Sequence, residues 1–355
     1  MDQTRAGWVN AHTHLYSGLA PLGMPAPSPP PENFVQILER LWWRLDRALD
    51  AELLRASARY YVAHALLAGT TTLIDHHESP RFIAGSLDVL ASACAELGVR
   101  AALTYGATER NGGRAEGQAG LDECRRFIEA NSDPRLVGLV GLHASFTVSD
   151  PTVEESLALC DTLKVPLHIH LAEDAADVRD AQERGYHGPL ERLLALGALP
   201  ADTILAHGIH IDTTQVTTAA LHGAFFVQNP RSNTGNGVGY PSALRVTERV
   251  GLGTDGYPAD MGEEEDALRN EARSHGDDEV AASRRLETGR ELGRTLFGPA
   301  IDDDRVTLRD GRVWRVEVAG KAVVDEGTLC YGDLDAITRD ASRAADILWR
   351  RMAAL

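Results

Sequence analysis

Two histidines stand one residue apart in "VNAHTHLYSG", residues 9–18. Side chains alternate faces along a β-strand, so His12 and His14 point the same way and can hold one ion between them. An isolated His-x-His is more often a hydrogen-bonded polar pair, so its meaning depends on company. Three further segments supply it. "HIHLAE" carries His170 with Glu173 three residues on, "LAHGIHI" carries His207, and "GLGTDG" carries Asp255. Imidazoles and a carboxylate converging on one point suit Zn²⁺ or another divalent first-row metal. Taken singly each has an ordinary reading: a core histidine, a turn aspartate beside glycine, a glutamate capping the helix that "EDAAD" begins.

These groups meet only if the elements carrying them end at the same place. Eight short β-branched runs do so: "WVNAHTH", "TTTLIDHH", "VRAALTYG", "LVGLVGLHA", "VPLHIHLAE", "TILAHGI", "AFFVQNP" and "VGLGTDG". Helical patterns separate them at 50–68, 81–97, 117–131, 151–163, 188–197, 212–222 and 241–249, and 263–297 follows the last run. This alternation predicts an α/β fold, a (β/α)8 TIM barrel over residues 1–298, with catalytic groups at the C-terminal strand ends. All six residues sit at such ends. Gly69, Gly98 and Gly223 each follow a helical stretch, where a left-handed cap is wanted.

Residues 299–330 read as a small β piece, strands at 305–329 with an Asp-Gly turn, and 331–355 as an amphipathic C-terminal helix. The stretch "PAPSPPPENF" at 25–34 reads as a loop ending in a helix start. Loops at the barrel mouth offer substrate contacts: His143 after the fourth run, His76 and His77 after the second, and Asn229, Arg231, Ser232 and Asn233 after the seventh. Adjacent strand residues face opposite ways, so only one of His76 and His77 can look inward. Arg231 could grip a carboxylate, a phosphate or a ring carbonyl, or pair with an acidic residue. Trp42 and Trp43 could cover an aromatic ligand or pack within their helix.

The formal charge of −17 over 355 residues argues against nucleic acid and anionic membranes as partners. Cys94, Cys124, Cys160 and Cys330 lie far apart, which suggests neither a zinc ribbon nor a disulfide framework. The absence of a signal-peptide pattern or a long apolar run leads to the expectation of a soluble, cytoplasmic protein.

Together, "HTH", "HIHLAE", "LAHGIHI", "QNPRSN" and "GLGTDG" resemble the amidohydrolase superfamily, in its cytosine-deaminase-like branch, over about Gly7 to Gly298. "TLIDHHESP", "GLHASFTVSD" and "GLGTDGYPADM" are similar to aminohydrolases of the SsnA type. The resemblance implies metal ligands His12, His14, His170 and Asp255, with His207 and Glu173 in second roles. Two-metal members bridge their ions with a lysine from the fourth strand. Here the only lysines are Lys164 and Lys321, so one divalent ion per chain is expected: zinc, with iron or manganese as alternatives.

The implied chemistry is attack by metal-activated hydroxide on an amino-substituted nitrogen heterocycle. Asp255 takes the water proton, His207 orients the water, and Glu173 protonates the ring and the departing amine. The alternatives are opening of a cyclic amide or displacement of another leaving group such as halide, and, in a different class, a catalytically silent metal-binding subunit. Family members carry tens of residues before "HTH" that form half of a small sandwich, whereas this chain has "MDQTRAG". The expectation is a trimmed sandwich with an uncovered apolar face, buried in a homo-oligomer, a dimer.

Overall fold

The structure is a computed structural model that describes residues 2–197 and 199–355. Eight parallel strands follow one another around the fold: β1 (Trp8–Thr13), β2 (Thr70–Asp75), β3 (Arg100–Leu103), β4 (Leu136–Gly138 and Val140–Ala144), β5 (Leu167–Leu171), β6 (Ile204–His207), β7 (Phe225–Gln228) and β8 (Val250–Leu252). Strand β4 changes partners at Leu139: its first half pairs with β3 and its second with β5. β8 returns to β1 through a Thr13–Asp255 bridge, and the amides of Thr254 and Asp255 both donate to the His12 carbonyl at 3.0 Å. Gly253 makes that approach possible, since a Cβ there would lie 2.7 Å from the same carbonyl.

Helices Ala51–Leu67, Ser86–Leu97, Arg114–Ala130, Asp150–Leu163, Pro189–Gly197 and Thr213–Leu221 stand between the strands, as the sequence pattern predicts. Gly69, Gly98 and Gly223 have φ of +85°, +89° and +85°, the left-handed conformation expected of them. Two helical expectations are corrected. Residues 241–249 hold only a 3₁₀ turn, Ser242–Val246. The helix after β7 is Pro230–Asn236, where Pro230 pre-sets the first turn and left-handed Gly237 ends it. The stretch 263–297 is three helices, Met261–Ser274, Glu279–Ser283 and Arg285–Phe297, broken where Gly276 turns left-handed and Asp278 caps the next helix.

Alternation along β1 separates two jobs. Val9 and Ala11 pack with Leu292 of the last of these helices and Ile301, while Asn10 and His12 take the other face. Asn10 is fully buried and holds Thr254 from both sides: its Oδ1 accepts from the Thr254 amide and its Nδ2 donates to the Thr254 hydroxyl at 2.7 Å.

The small β piece is a five-stranded antiparallel sheet, and the N-terminal segment belongs to it. Gln3–Ala6 pairs with Arg305–Arg309, followed in order by Arg312–Val318, Lys321–Asp325 and Thr328–Leu329. Its hairpins turn at Asp310-Gly311, Ala319-Gly320 and Glu326-Gly327, with φ between +50° and +77° at all six residues. The expected uncovered apolar face is absent: Val306, Val316, Val318, Val323 and Val324 are at most 2% exposed. They share a core with helix Ala51–Leu67 and with Ile337, Ala341, Leu348 and Met352 of the C-terminal helix Leu334–Ala353. The outer face carries Arg315, Glu317 and Asp325 in ion pairs. The physical argument for a dimer therefore falls away. No helix among the described residues is long and apolar enough to cross a membrane.

A buried ion pair ties the sheet to the barrel. Arg100 on β3 donates to both Asp304 oxygens, at 2.7 and 3.2 Å, and to the Ala300 carbonyl, while Asp304 also accepts from the Ala319 amide. Removing one partner leaves the other charge buried and unpaired. Asp304→Ala is expected to cost about 3–5 kcal/mol in urea unfolding, and pairing it with Arg100→Met to recover part of that loss.

Candidate metal centre and its pocket

His12, His14, His170 and Asp255 converge as expected. His12 Nε2 and His14 Nε2 lie 3.3 and 2.8 Å from Asp255 Oδ1, and His170 Nε2 lies 3.3 Å from His14 Nε2. All four ligand atoms fall within 4.8 Å of one another. These separations are those of atoms sharing an ion at about 2.0–2.2 Å.

The rings are oriented from behind. His14 Nδ1 donates to the His76 carbonyl at 2.5 Å and His170 Nδ1 to the His143 carbonyl at 2.6 Å. A carbonyl only accepts, so Nδ1 carries the hydrogen and Nε2 turns a lone pair inward. His12 Nδ1 meets His168 Nε2 at 2.9 Å, and the buried His12 Nε2 has no hydrogen-bond partner. Burial holds His12 down at about 3. At His14 burial also opposes charge, yet the neighbouring Asp255 carboxylate prevails and raises it to about 9, so that Nε2 favours a proton where an ion would otherwise take its lone pair. The centre calls for a positive charge among its lone pairs, and a divalent ion fits the donor set.

Strand-end geometry completes the arrangement. Ala172, His207 and Asp255 have φ of +51°, +76° and +52°, a conformation costly for residues with a Cβ and concentrated at functional sites. At Ala172 it accompanies the turn out of β5 that leads into Glu173. Asp255 Oδ2 accepts from the Ser232 hydroxyl, which leaves Oδ1 for the centre.

His207 and Glu173 form the second pair, with Nε2 and Oε2 3.6 Å apart. Asn233 Oδ1 lies 2.9 Å from His207 Nδ1, so that nitrogen holds the hydrogen and the buried, unpartnered Nε2 keeps its lone pair. Burial lowers His207, keeping it neutral. Burial first, and then the Asp255 charge, raise Glu173 well above the ordinary carboxyl range, which favours its protonated form. An acid and a base thus stand side by side next to Asp255.

Beside this pair lies a cleft, open to solvent at its mouth, into which His14, His170, Glu173 and Asp255 look. The expected substrate contacts divide. His143 lines the cleft. Arg231 does not: Glu264 and Glu263 draw its guanidinium away, at 2.5 and 2.7 Å, and it also donates to the Pro258 carbonyl. Ser232 and Asn229 lie behind the centre, the one on Asp255 and the other with its Nδ2 3.4 Å from His207 Nδ1. His76 looks inward beneath His14 and His170 and His77 turns away to the Ser79 hydroxyl, but neither lines the cleft.

Trp42 and Trp43, which the sequence offered as a cover for an aromatic ligand, line the cleft, and several other lining residues were not foreseen. Phe34 through Ala48 form one helical run, with Asn33 capping its start and a π-helical turn at Leu38–Trp42. This turn brings Trp42, Trp43 and Asp46 to the same cleft wall, a use typical of π-turns. Asp46 is paired with Arg110 at 2.8 Å, and Arg110 lies over the Trp43 ring. Burial raises Asp46 to about 6 against that pairing. Tyr16, Glu78, Phe146 and Asn236 also line the cleft. His168 had a signal: the alternation that pairs His12 with His14 also pairs His168 with His170. Glu78 and Asp46 had none, since neither lies in a pattern that predicts an inward direction.

Comparison with known proteins accords with this geometry. A family model described as "Amidohydrolase family" matches residues 5–285. The 5'-deoxyadenosine deaminase of Methanopyrus kandleri is 30% identical over 266 residues, covering 72% of this chain and 57% of the relative. A 5-methylthioadenosine/S-adenosylhomocysteine deaminase of Thermococcus sibiricus is 29% identical, covering 70% and 57%. The chain therefore spans a little over half the length of these curated relatives. In fold it is similar to a zinc-bound adenosine deaminase from Xanthomonas campestris, with a TM-score of 0.85 and 22% identity over 100% of this chain and 87% of that one. The zinc complex of atrazine chlorohydrolase TrzN from Arthrobacter aurescens has a TM-score of 0.77 and 19% identity, over 97% and 88%. With the metal-centre residues all inside the matched segment, the chain belongs to the amidohydrolase family.

Proposed function

We propose that this chain is a metal-dependent aminohydrolase that releases ammonia from an amino-substituted nitrogen heterocycle, with aminopurine nucleosides the first class to test. One observation carries the reading: Glu173, its carboxyl raised by burial, stands 3.6 Å from neutral His207 beside a four-ligand centre, and Glu173, His14, His170 and Asp255 open onto one aromatic-walled cleft. A site that only held an ion would need His12, His14, His170 and Asp255 but not Glu173 beside His207. Two of the curated relatives are named as deaminases of adenosine derivatives, which selects the class.

A divalent ion at the centre, zinc in this reading and one per chain, supplies the charge that makes water acidic at neutral pH. Asp255 accepts the proton of the attacking water, and its Ser232 hydrogen bond keeps the carboxylate aimed at the centre. His207, its Nδ1 hydrogen directed at Asn233, offers Nε2 to orient that water. Glu173 gives its proton to the ring nitrogen beside the attacked carbon, which prevents negative charge from building there; it then relays the water proton held by Asp255 to the departing amine, and the proton of the new C–O–H group restores it as the carbonyl forms.

Asp255→Ala is expected to abolish ammonia release and to lower bound zinc, read by mass spectrometry of the metal, with an unchanged circular dichroism spectrum. Full turnover in that variant would overturn the reading. Glu173→Gln should retain the ion and the fold while lowering kcat about 10²- to 10⁴-fold, because it removes the transferable proton and no ligand. Chelator treatment should remove activity, and about one equivalent of zinc per chain should restore it. Recovery that requires two equivalents would contradict a single ion.

A further inference from the structure

The cleft is unbalanced in charge. Leaving aside Asp255, which faces the metal centre, and Glu173, which burial favours in its protonated form, Asp46, Glu78, Asp174 and Asp177 line it, and among the described residues that do so none is lysine or arginine. The guanidinium groups that come near are committed. Arg110 donates to Asp46 and Thr108 and lies over the Trp43 face, with its Nη1 unpartnered but outside the cleft lining, and Arg231 is drawn to Glu263 and Glu264. Glu78 is 1% exposed, and its neighbour, His76 Nδ1 at 2.8 Å, is an imidazole rather than a fixed cation. Two buried polar atoms of other lining residues, Asp46 Oδ1 and Trp43 Nε1, have no hydrogen-bond partner. The other walls are aromatic, and ring faces attract cations and repel anions.

Away from the metal centre, which the reacting ring occupies, a phosphate or carboxylate entering this space would lose its water and meet carboxylates, with no guanidinium or ammonium among the lining residues to receive it. An ammonium or amidinium group would exchange water for carboxylate and ring faces. We propose that the cleft selects amino heterocycles that are neutral or positively charged, excludes those bearing phosphate or carboxylate, and owes much of that selection to Glu78. This rests on the cleft being the substrate site of the proposed deaminase. It also separates this chain in expected substrate from any relative acting on a ligand with a free carboxylate.

The test uses the zinc-loaded full chain and three ligands that share one core: 5'-amino-5'-deoxyadenosine, adenosine and adenosine 5'-monophosphate. Binding is read at pH 7 by ligand-induced thermal stabilisation, and ammonia release is read separately. The amine-bearing ligand should bind at least about tenfold tighter than the phosphate, with adenosine between them. Glu78→Gln should narrow that ratio at least about threefold and Glu78→Asp restore it, an outcome that a merely structural role would not produce. If Glu78→Gln does not fold, Leu38→Lys adds a cation to the wall and should raise phosphate affinity.

Ordered binding without ammonia release would uphold the selectivity and sink the deaminase reading. Ammonia release that is fastest from the phosphate would do the reverse. Equal binding of all three, or of none, would overturn the selectivity.

Discussion

Three inward-facing lone pairs and one carboxylate oxygen within 4.8 Å of one another form an arrangement that only a positive charge makes favourable. The chain invests heavily to hold it. Each imidazole is gripped by its other nitrogen, two of them by carbonyls of neighbouring strands, and Asp255 is gripped through its second oxygen by Ser232. Because the gripping groups are backbone or buried side chains on β2, β4, β5 and β7 loops, the centre and the barrel order one another. Loosening any strand end would let a ring rotate and lose its lone-pair direction.

The left-handed residues belong to the same constraint. A strand ending in ordinary extended backbone would carry its next side chain along the barrel axis and out into solvent. Turning at Ala172, His207 and Asp255 keeps the backbone close to the rim, where Gly208 and Ile209 amides donate to the carbonyls of Leu171 and Ala172. The local conformational cost is met by packing below, where Asn10, Tyr61, Thr13 and Thr254 form a buried hydrogen-bonded cluster under Asp255. The small sheet is coupled more remotely, through Arg100 and Asp304, and it covers a helix face that the barrel alone would leave exposed.

Much of the barrel was legible because its strands are short β-branched runs and its helices have strong periodicity. The helix at 230–236 was not, since "PRSNTGN" has no apolar stripe and its helical state comes from Pro230, Gly237 and the cavity it closes. The strand Gln3–Ala6 was missed because four exposed or half-buried residues carry no alternation, and its partner lies some three hundred positions away. The expectation of an uncovered sandwich face did not allow for the C-terminal helix and helix Ala51–Leu67 as covers.

The sequence by itself determined which residues could form the centre: period-two spacing and placement at strand ends fix a side chain's face and end without knowledge of the neighbours. It also determined the absence of a lysine on β4, and with it the argument for a single ion. Only the tertiary structure decided which of His76 and His77 turns inward, that Arg231 is taken by Glu264, and that Asp46 and Glu78 face the cleft. The physical reason is that such directions depend on pairing between charges distant in the chain and on the π-turn that rotates Trp42, Trp43 and Asp46 together. Local pattern specifies the strand and its face, whereas the partner that wins a buried charge is settled only when the chain has closed around it.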